Sequence, residues 1–477
     1  MLDKLIFYDN VRNDETVKKT VLLLDAIGSG AAFARRSLKI NTKNLKSVYF
    51  DVQRALMSEY GSGAAALSGY TFWQRHVCRL IAESENVFSI AAENGEGVGC
   101  FGALAVREAS VLKELYNIDW EQIAAAADDG DFCVAGMKAQ PGDHGAGWVA
   151  NYEAQPGDRA AEQVADCEAR PGDRAAEQVA DREARPGEHG AGGHRRSVES
   201  KRTVIHRALH QDDDAKTALM LAEYYRDEGS GLFERYDAFC WDHGLQGVER
   251  PDPITFEDLI GYEIQKERII ENVRFFTEGG NGLNMLLYGD RGTGKSSSVK
   301  ALLNRFASHK LRLISVRKED IDEAPAIMEM LARRGLRFII FIDDLSFEEN
   351  ETGYKSFKSA LEGGIRPQPE NVMVCVTSNR RNIIKEVWRD REGAEDIHLN
   401  DSMQEKRSLA DRFGLTVVFS TPDKSEYLDI VKGIAEREGM KTDMEELERE
   451  AMKWELRQNG RSGRGARQFI NWFRRYS

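Results

Sequence analysis

The sequence lacks the features that mark exported and membrane-spanning proteins. No apolar run approaches the roughly 20 residues that a membrane-spanning helix needs. The N-terminus, Met1-Leu-Asp-Lys-Leu-Ile-Phe-Tyr-Asp-Asn10, has no basic stretch followed by a long apolar stretch, so it does not resemble a secretory signal. We therefore expect no membrane association and no export.

The cysteines are scattered, and no two of them form a Cys-x-x-Cys pair. This spacing argues against a zinc ribbon, a redox motif or a disulfide framework. A reducing compartment fits free thiols best, so we expect a cytoplasmic protein. The six positions are Cys78, Cys100, Cys133, Cys167, Cys240 and Cys375.

Positive charge is also in deficit, because the formal net charge is −13. The surface as a whole should repel phosphate backbones, so general nucleic-acid binding is not the default expectation, although a local basic patch could still provide it. The length of 477 residues exceeds what one ordinary core accommodates, and it predicts several domains.

A low-complexity segment repeats with a 15-residue period from Gly130 to about Arg196. Its units carry Pro141-Gly-Asp, Pro156-Gly-Asp, Pro171-Gly-Asp and Pro186-Gly-Glu. Each unit offers one valine and a few alanines, which is too little apolar surface to offset the entropy of ordering. We expect a disordered or weakly helical insertion without a function of its own.

The segments on either side of the repeat have helical apolar spacing, from Thr16 to Asp128 and again from Ala215 to Trp241. The repeat is therefore predicted to interrupt one helical domain. Gly97-Val-Gly-Cys-Phe-Gly102 formally matches a dinucleotide-binding fingerprint, but no strand leads into it, so a glycine-rich turn is the better interpretation. Pro251 and Pro253 then mark the start of a new domain.

The segment Gly289-Asp-Arg-Gly-Thr-Gly-Lys-Ser296 fits the phosphate-binding pattern G-x-x-x-x-G-K-[ST]. Glycines allow consecutive backbone N–H groups to close around phosphates, the lysine supplies charge, and the serine hydroxyl is a Mg²⁺ ligand. A short apolar strand precedes the loop and an amphipathic helix follows it. The predicted nucleotide contacts here are Gly289, Asp290, Arg291, Gly292, Thr293, Gly294, Lys295, Ser296 and Ser297.

Two later strands are predicted to bring polar groups to the same edge of the sheet. Arg337-Phe-Ile-Ile-Phe-Ile-Asp343-Asp344 is an apolar run that ends in two acids, as in buried parallel strands. We expect Asp343, with Ser296, to hold Mg²⁺ and Asp344 to act as a general base on water. The strand from Val372 to Thr377 leads to Asn379. If this strand is inserted between the first two, Asn379 would lie beside the γ-phosphate and help to place that water.

Taken together, these motifs resemble those of the AAA+ ATPases, and the resemblance extends roughly from Ile254 to Ser477. It identifies the two Walker motifs and makes Asn379 the first sensor. It also makes Arg412 an arginine finger that reaches a neighbouring subunit, with Arg407 as the rival candidate. Within the AAA+ proteins, the loop and acid segments look most like an uncharacterised bacterial ATP-binding family known as domain of unknown function 815.

The ends of this region carry two further parts of the resemblance. Thr255-Phe-Glu-Asp-Leu-Ile-Gly-Tyr262 resembles the family's entry segment, which implies that Ile260 and Gly261 flank the adenine. Ser462-Gly-Arg-Gly-Ala-Arg467 resembles the second sensor, which assigns Arg464 to the nucleotide. Asp344 departs from the family pattern, because the second acid is usually glutamate. Slower turnover, or help from Glu348, would follow from the shorter side chain.

The resemblance implies an α/β fold: a P-loop AAA+ core with a mostly parallel five-stranded sheet of order 5-1-4-3-2 flanked by helices, and a C-terminal helical lid. The apolar spacing adds an N-terminal mainly helical domain with the repeat inserted. The predicted parts are residues 1–129 (helical domain), 130–198 (repeat), 199–250 (helical continuation and linker), 251–421 (ATPase core) and 422–477 (lid). The strand candidates are Met285–Tyr288, Leu311–Val316, Phe338–Ile342, Val372–Thr377 and Leu415–Phe419.

The functional interpretation is a Mg²⁺-dependent ATPase that forms a homo-oligomeric ring, possibly a hexamer, and remodels an unknown protein or nucleic-acid target. Two alternatives remain open, namely a slow ATP-dependent DNA-associated loader or switch, and a small-molecule or nucleotide kinase. A C-terminal arginine cluster is either a solvated helix face or a nucleic-acid contact. It comprises Arg457, Arg461, Arg464, Arg467, Arg474 and Arg475.

Overall fold

The computed structural model describes residues 1–28, 42–60, 70–96, 99, 101–127, 198–306, 309–346, 357–358, 361, 367–379, 412–458 and 460–476. The predicted repeat, apart from its last residue, lies outside these ranges. Glu348 and Arg407 also lie outside them, as does part of the Gly97–Gly102 turn.

The described residues form helices and strands in an order typical of an α/β protein. The helices are α1 (Asp9–Asn13), α2 (Glu15–Gly28), α3 (Thr42–Tyr60), α4 (Phe72–Ala82), α5 (Val87–Glu93), α6 (Gly102–Tyr116), α7 (Trp120–Ala127), α8 (Val198–Leu209), α9 (Asp214–Glu228), α10 (Leu232–Arg235), α11 (Glu263–Thr277), α12 (Lys295–Phe306), α13 (Ala324–Leu331), α14 (Lys424–Arg437), α15 (Met444–Gln458) and α16 (Gly463–Tyr476). The strands are β1 (Ala238–Trp241), β2 (Leu245–Gly247), β3 (Met285–Gly289), β4 (Leu311–Ser315), β5 (Arg337–Ile342), β6 (Val372–Ser378) and β7 (Leu415–Phe419).

The strands form one sheet with the order β2-β1-β4-β5-β6-β3-β7. Every neighbouring pair is parallel except β1 and β2, which are antiparallel. When the five predicted strands are numbered along the chain, from β3 as the first to β7 as the fifth, their order in the sheet is 5-1-4-3-2. The predicted fold class and strand order are therefore confirmed.

The sheet has seven strands, so the predicted number of five is wrong. The two additional strands, β1 and β2, form a hairpin in a segment that we expected to be helical up to Trp241. Residues Ala238–Cys240 pair with Leu313–Ser315 of β4, which would otherwise be the edge strand. A four-residue run such as Ala-Phe-Cys-Trp owes its conformation to this pairing with a distant strand, and its own periodicity is too short to reveal it.

The central strands have continuous apolar sequences because helices cover both faces of the sheet. One face carries a cluster of buried side chains that includes Ile340 and Leu331, and the other carries a cluster that includes Leu287 and Leu302. The three C-terminal helices, α14 to α16, have a small core of their own around Tyr427 and Phe469. This last cluster agrees with the predicted helical lid.

By its contacts the chain divides into two compact units. The first contains Met1–Arg12, Val77–Tyr116 and Gly193–Ser477, and therefore the whole sheet and the lid. The second contains Asn13–His76 and Asn117–Gly192, and its described part is helical. The division into five domains that the sequence suggested remains a prediction.

Within the first unit, a buried ion pair joins helix α5 to the turn before β5. Arg334 donates to both carboxylate oxygens of Glu93, at 2.8 and 2.6 Å, and Glu93 also accepts from the hydroxyl of Ser230 at 2.6 Å. Gly335 lies so close that an added Cβ would be 1.9 Å from the carbonyl oxygen of Glu93. This part of the N-terminal sequence is thus packed closely against the sheet domain.

Cys78, Cys240 and Cys375, the cysteines in the described part of the chain, are free thiols. Among the helices that the structure describes, none combines the length and the apolar character needed to cross a membrane.

Candidate active site

The predicted phosphate loop connects the end of β3 to the start of α12, and its glycines occupy positions that other residues could not adopt without strain. Gly289 has φ +142°, and a Cβ there would lie 1.9 Å from the carbonyl oxygen of Phe419. Gly292 and Gly294 have φ of +78° and +99°, in the region that disfavours residues with a Cβ. The loop conformation therefore explains why glycine stands at these three places.

Lys295 begins α12, and its side chain is buried under the loop. Its Nζ donates to the carbonyl oxygens of Gly289 (2.8 Å) and Asp290 (2.7 Å) and to Oδ1 of Asn379 (3.2 Å). Burial lowers the pKa of Lys295, and the nearby carboxylates of Asp344, Asp290 and Asp343 oppose this shift. A bound anion would also favour the charged ammonium group.

The first turn of α12, which contains Lys295, Ser296 and Ser297, has backbone N–H groups without acceptors inside the helix. The positive end of the helix dipole lies at the same place. Two further loop side chains have distinct positions: Thr293 is buried and donates to the carbonyl oxygen of Asp290 at 2.8 Å, whereas Arg291 is exposed. The loop thus presents N–H groups and one lysine to an anion.

The two predicted acids follow β5 and lie beside the phosphate loop. The hydroxyl of Ser296 donates to Oδ1 of Asp343 at 2.5 Å. Asn379 bridges the other groups, because its Oδ1 accepts from Lys295 and its Nδ2 donates to Asp344. The parallel pairing of β5 with β6, in which Ile342 faces Val376, brings these residues to one edge of the sheet.

Thr377 also belongs to this cluster, and the sequence analysis did not identify it. Its hydroxyl donates to Oδ1 of Asp343 at 2.5 Å and accepts from the backbone N–H of Asp344 at 2.9 Å. The side chain is 1% exposed. A hydroxyl at the end of an otherwise apolar strand, two residues before Asn379, was the available signal.

The lid reaches the phosphate loop at the start of α16. The backbone N–H of Arg464 donates to the carbonyl oxygen of Gly292 at 3.1 Å. A Cβ on Gly292 would lie 3.0 Å from Oγ of Ser462 and 3.2 Å from Cβ of Arg464. The structure therefore places the predicted second sensor beside the loop, with the Arg464 side chain exposed.

A second link between the loop and the lid was not predicted. Oδ2 of Asp290 accepts from the backbone N–H of Thr421 at 3.0 Å and from its hydroxyl at 2.5 Å. Thr421 follows β7 and precedes Asp423, the residue that caps the first lid helix, α14. Asp290 therefore joins the phosphate loop to the connection between β7 and the lid.

The predicted adenine-flanking residues lie between the core and the lid. Gly261 has φ +83°, and a Cβ there would meet Ile430 of α14 at 3.4 Å. Ile260 packs against Gly433 of the same helix, where an added Cβ would lie 2.7 Å from its side chain. Tyr262 donates its hydroxyl to the carbonyl oxygen of Ser420 at 2.8 Å. The entry segment is thus in contact with both parts that would enclose a base.

Arg412 is the one predicted site residue that the fold keeps away from the others. It precedes β7 and is exposed, whereas the phosphate loop follows the far end of the parallel neighbour β3. Met285 pairs with Leu415 and Gly289 with Phe419, so the two ends are four residues apart, or about 13 Å at 3.3 Å per residue. Within one chain, Arg412 and the phosphate loop lie at opposite ends of two neighbouring strands.

The residues at this site fit a Mg²⁺-bound nucleoside triphosphate. Glycines with positive φ leave room for phosphates beside the N-terminus of α12. The hydroxyl of Ser296 donates a hydrogen bond to Asp343, which leaves the serine lone pairs available to a hard cation that prefers oxygen ligands. Lys295 adds the positive charge that the phosphates require.

The chain is similar in sequence to a known protein over part of its length. A 26S proteasome regulatory subunit 6B homolog from Schizosaccharomyces pombe is 32% identical over 115 residues, which cover 21% of this chain and 29% of that protein. The chain thus spans less than a third of the curated relative that it matches.

Solved structures resemble the chain only distantly. The Thermotoga maritima RuvB Holliday junction branch migration motor has a TM-score of 0.29 at 16% identity, covering 46% of this chain and 72% of that one. The replication initiator DnaA, bound to AMPPCP and single-stranded DNA, has a TM-score of 0.32 at 19% identity, covering 46% and 64%. TM-scores this low do not establish the fold, which instead rests on the strand order and on the conformation of the phosphate loop.

The model of the family described as "Protein of unknown function (DUF815)" matches residues 234–475. The matched region begins just before β1 and ends in the last lid helix, so it contains all seven strands and every site residue named above. Because this match covers just over half of the sequence, the chain belongs to the DUF815 family, and its sheet domain and lid have the AAA+ ATPase fold.

Proposed function

We propose that this protein is a Mg²⁺-dependent ATPase that hydrolyses ATP to ADP and phosphate at the site between the phosphate loop and the lid. The observation that carries the proposal is the hydrogen-bonded series Lys295–Asn379–Asp344, beside the pair Ser296–Asp343. An ammonium group, an amide, two carboxylates and a hydroxyl are thus within one cluster, and this combination supports phosphoryl transfer to water with Mg²⁺.

Each side chain has a distinct task in this proposal. Lys295 and the N–H groups of the loop would hold the β- and γ-phosphates, and Ser296 with Asp343 would hold Mg²⁺, which neutralises phosphate charge. Asp344 would accept a proton from the attacking water, and Asn379 would orient that water. The reaction is a displacement at phosphorus by water, so it needs no covalent intermediate with the protein.

The parts of the proposal outside the cluster depend on the AAA+ fold. Ile260 and Gly261 would flank the adenine, and Arg464 would contact the nucleotide from the lid. Arg412 would act on the site of a neighbouring subunit in a homo-oligomeric ring, since it lies far from its own phosphate loop. We further propose that hydrolysis drives the remodelling of a macromolecular target in the cytoplasm.

The Lys295→Ala variant tests the assignment of the phosphate loop. Without the ammonium group the triphosphate loses its closest cation, so we expect ATP affinity to fall at least about 100-fold, as for the loss of charged hydrogen bonds at a buried site. Equilibrium titration with a fluorescent ATP analogue measures this, and phosphate release measures turnover. Lys300→Ala is the matched control, because Lys300 lies on the same helix and pairs with Asp252.

Undiminished ATP affinity in Lys295→Ala would overturn the phosphate-loop assignment. Phosphate release by the wild-type protein distinguishes an ATPase from a kinase, because a kinase would consume ATP only when its acceptor is present.

A further inference from the structure

Thr377 is a buried hydroxyl that contacts both acids of the candidate site. It lies near the end of β6, and its Oγ donates to Oδ1 of Asp343 at 2.5 Å while accepting the backbone N–H of Asp344 at 2.9 Å. One hydroxyl can donate one proton and accept others. The single donor of Thr377 is therefore directed at the carboxylate that would bind Mg²⁺.

The contact with Asp343 has a consequence for Ser296. Both hydroxyls donate to the same oxygen, Oδ1, at 2.5 Å, which is the short range of hydrogen bonds to a carboxylate. Two donors on one oxygen hold the Asp343 side chain in a single orientation. Because Ser296 is held with its proton toward Asp343, its lone pairs remain directed away from that carboxylate.

The contact with Asp344 acts on the backbone. Asp344 has φ +50°, in the left-handed region that residues with a Cβ rarely adopt. Thr377 binds the peptide groups on both sides of Asp344. Its hydroxyl accepts from the backbone N–H of Asp344, and its carbonyl oxygen accepts from the N–H of Leu345 at 2.8 Å. In this conformation the Asp344 carboxylate meets Asn379.

We propose that Thr377 is a positioning residue for Mg²⁺–nucleotide binding and hydrolysis, which it supports by fixing Asp343 against Ser296 and Asp344 against Asn379. This inference rests on the proposed ATPase function. Thr377 acts only through its neighbours, since its hydroxyl is buried and its one proton is directed at Asp343 while it accepts from Asp344. The usual glutamate at position 344 would have a longer reach, so the shorter aspartate depends more on a correctly held backbone.

The alternative is that Thr377 has only a structural role. Its replacement would then lower the stability of the fold without changing how nucleotide affinity depends on Mg²⁺. Thr377→Val keeps the shape and removes the hydroxyl, whereas Thr377→Ser keeps the hydroxyl. Thr377→Ala is a second hydroxyl-free variant in case the valine variant does not fold. Thr416→Val is the matched control, because Thr416 lies in the same sheet with its side chain exposed.

The measurement is the affinity for a fluorescent ADP analogue with and without Mg²⁺, followed by single-turnover ATP hydrolysis. In Thr377→Val, we expect the factor by which Mg²⁺ raises the affinity for the ADP analogue to be about 10-fold smaller than in the wild type. This is the effect of losing one hydrogen bond to a charged group. The affinity measured without Mg²⁺ should stay unchanged. Hydrolysis should fall by at least about 10-fold. Thr377→Ser should stay within about threefold of the wild type, and Thr416→Val should be unchanged.

Two results would overturn the inference, and they can be told apart. If the wild type responds to Mg²⁺ and hydrolyses ATP, but Thr377→Val does so equally well, the positioning role is wrong and the proposed function stands. If the wild-type affinity does not respond to Mg²⁺ and no ATP is hydrolysed, the proposed function fails and the role of Thr377 fails with it.

Discussion

Asp344 is the residue in which this site departs most from the usual AAA+ pattern. Its side chain is one methylene shorter than the usual glutamate, but its backbone is left-handed, with φ +50°. A left-handed residue directs its side chain differently from the residues of the preceding strand. Here the carboxylate accepts a hydrogen bond from the side-chain amide of Asn379. The backbone thus brings a short acid to a polar partner beside Lys295.

Asp344→Asn separates ATP binding from hydrolysis. Asparagine tolerates the left-handed backbone well and keeps a similar shape, so the loop should not change, whereas alanine would alter both chemistry and backbone preference. Loss of the proposed base should slow hydrolysis about 100-fold or more, with ATP affinity nearly unchanged. Single-turnover hydrolysis and equilibrium binding, measured on the same preparation, test both expectations.

A normal rate in Asp344→Asn would mean that another group accepts the proton. Glu348 would then be the first candidate to replace, by Glu348→Gln. If ATP affinity fell together with the rate, Asp344 would have a role in binding rather than in the chemical step.

Most residues of the cluster could be predicted from sequence, because parallel strands deliver their carboxyl ends to one edge of a sheet. Asp343, Asp344 and Asn379 follow apolar runs, but Asn379 comes beside the acids only with the strand order that the resemblance to AAA+ proteins implies. Thr377 could not be predicted in the same way. A hydroxyl that ends an apolar strand was the one local signal, but its importance depends on the register of β5 against β6, which sets this hydroxyl between two acids.

At the scale of elements, the long buried strands were predictable and the short edge strands were not. The strands β3 to β7 consist mostly of apolar residues, which identifies them without reference to their partners. The hairpin of β1 and β2 has only four and three residues, and its conformation depends on pairing with β4. The N-terminal helices were predictable as helices, but they carry no motif that reveals a function.

The connection between Asp290 and Thr421 predicts coupling between the phosphate loop and the lid. Asp290→Ala removes the acceptor of two hydrogen bonds at the start of the lid, so the lid should open more often and release nucleotide faster. Because the contact is exposed, we expect a modest increase in dissociation rate, about threefold to tenfold. Stopped-flow dissociation of a fluorescent ADP analogue measures this rate.

Asp290→Asn is the matched variant for this prediction, because its amide oxygen can still accept from Thr421. It should dissociate nucleotide at nearly the wild-type rate. Thr421→Val removes one of the two donors and should give an intermediate rate. Equal dissociation rates in all four proteins would show that this contact does not restrain the lid.

At the scale of the whole molecule, the direction of the strands separates Arg412 from the phosphate loop of the same chain. Arg412 lies before β7 and the phosphate loop lies after β3. Because the two strands are parallel neighbours, Arg412 and the loop lie at opposite ends of the pair. An arginine finger is worth roughly 10³- to 10⁵-fold in rate in systems where it has been measured. A protein that needs Arg412 for hydrolysis would therefore need a second copy beside it.

Mixing two inactive variants tests this dependence. Lys295→Ala should bind ATP too weakly to hydrolyse it, and Arg412→Ala lacks the proposed finger. In a ring that contains both variants, some interfaces join the intact loop of an Arg412→Ala subunit to the intact Arg412 of a Lys295→Ala subunit. With free exchange at equal amounts, about one interface in four has this arrangement, so about a quarter of the wild-type phosphate release should return. The double variant Lys295→Ala/Arg412→Ala, mixed with Arg412→Ala, supplies no finger and should restore nothing. If the first mixture remained inactive although analytical ultracentrifugation showed mixed oligomers, Arg412 would not act across the interface. If Arg412→Ala alone kept its full activity, it would not be the finger.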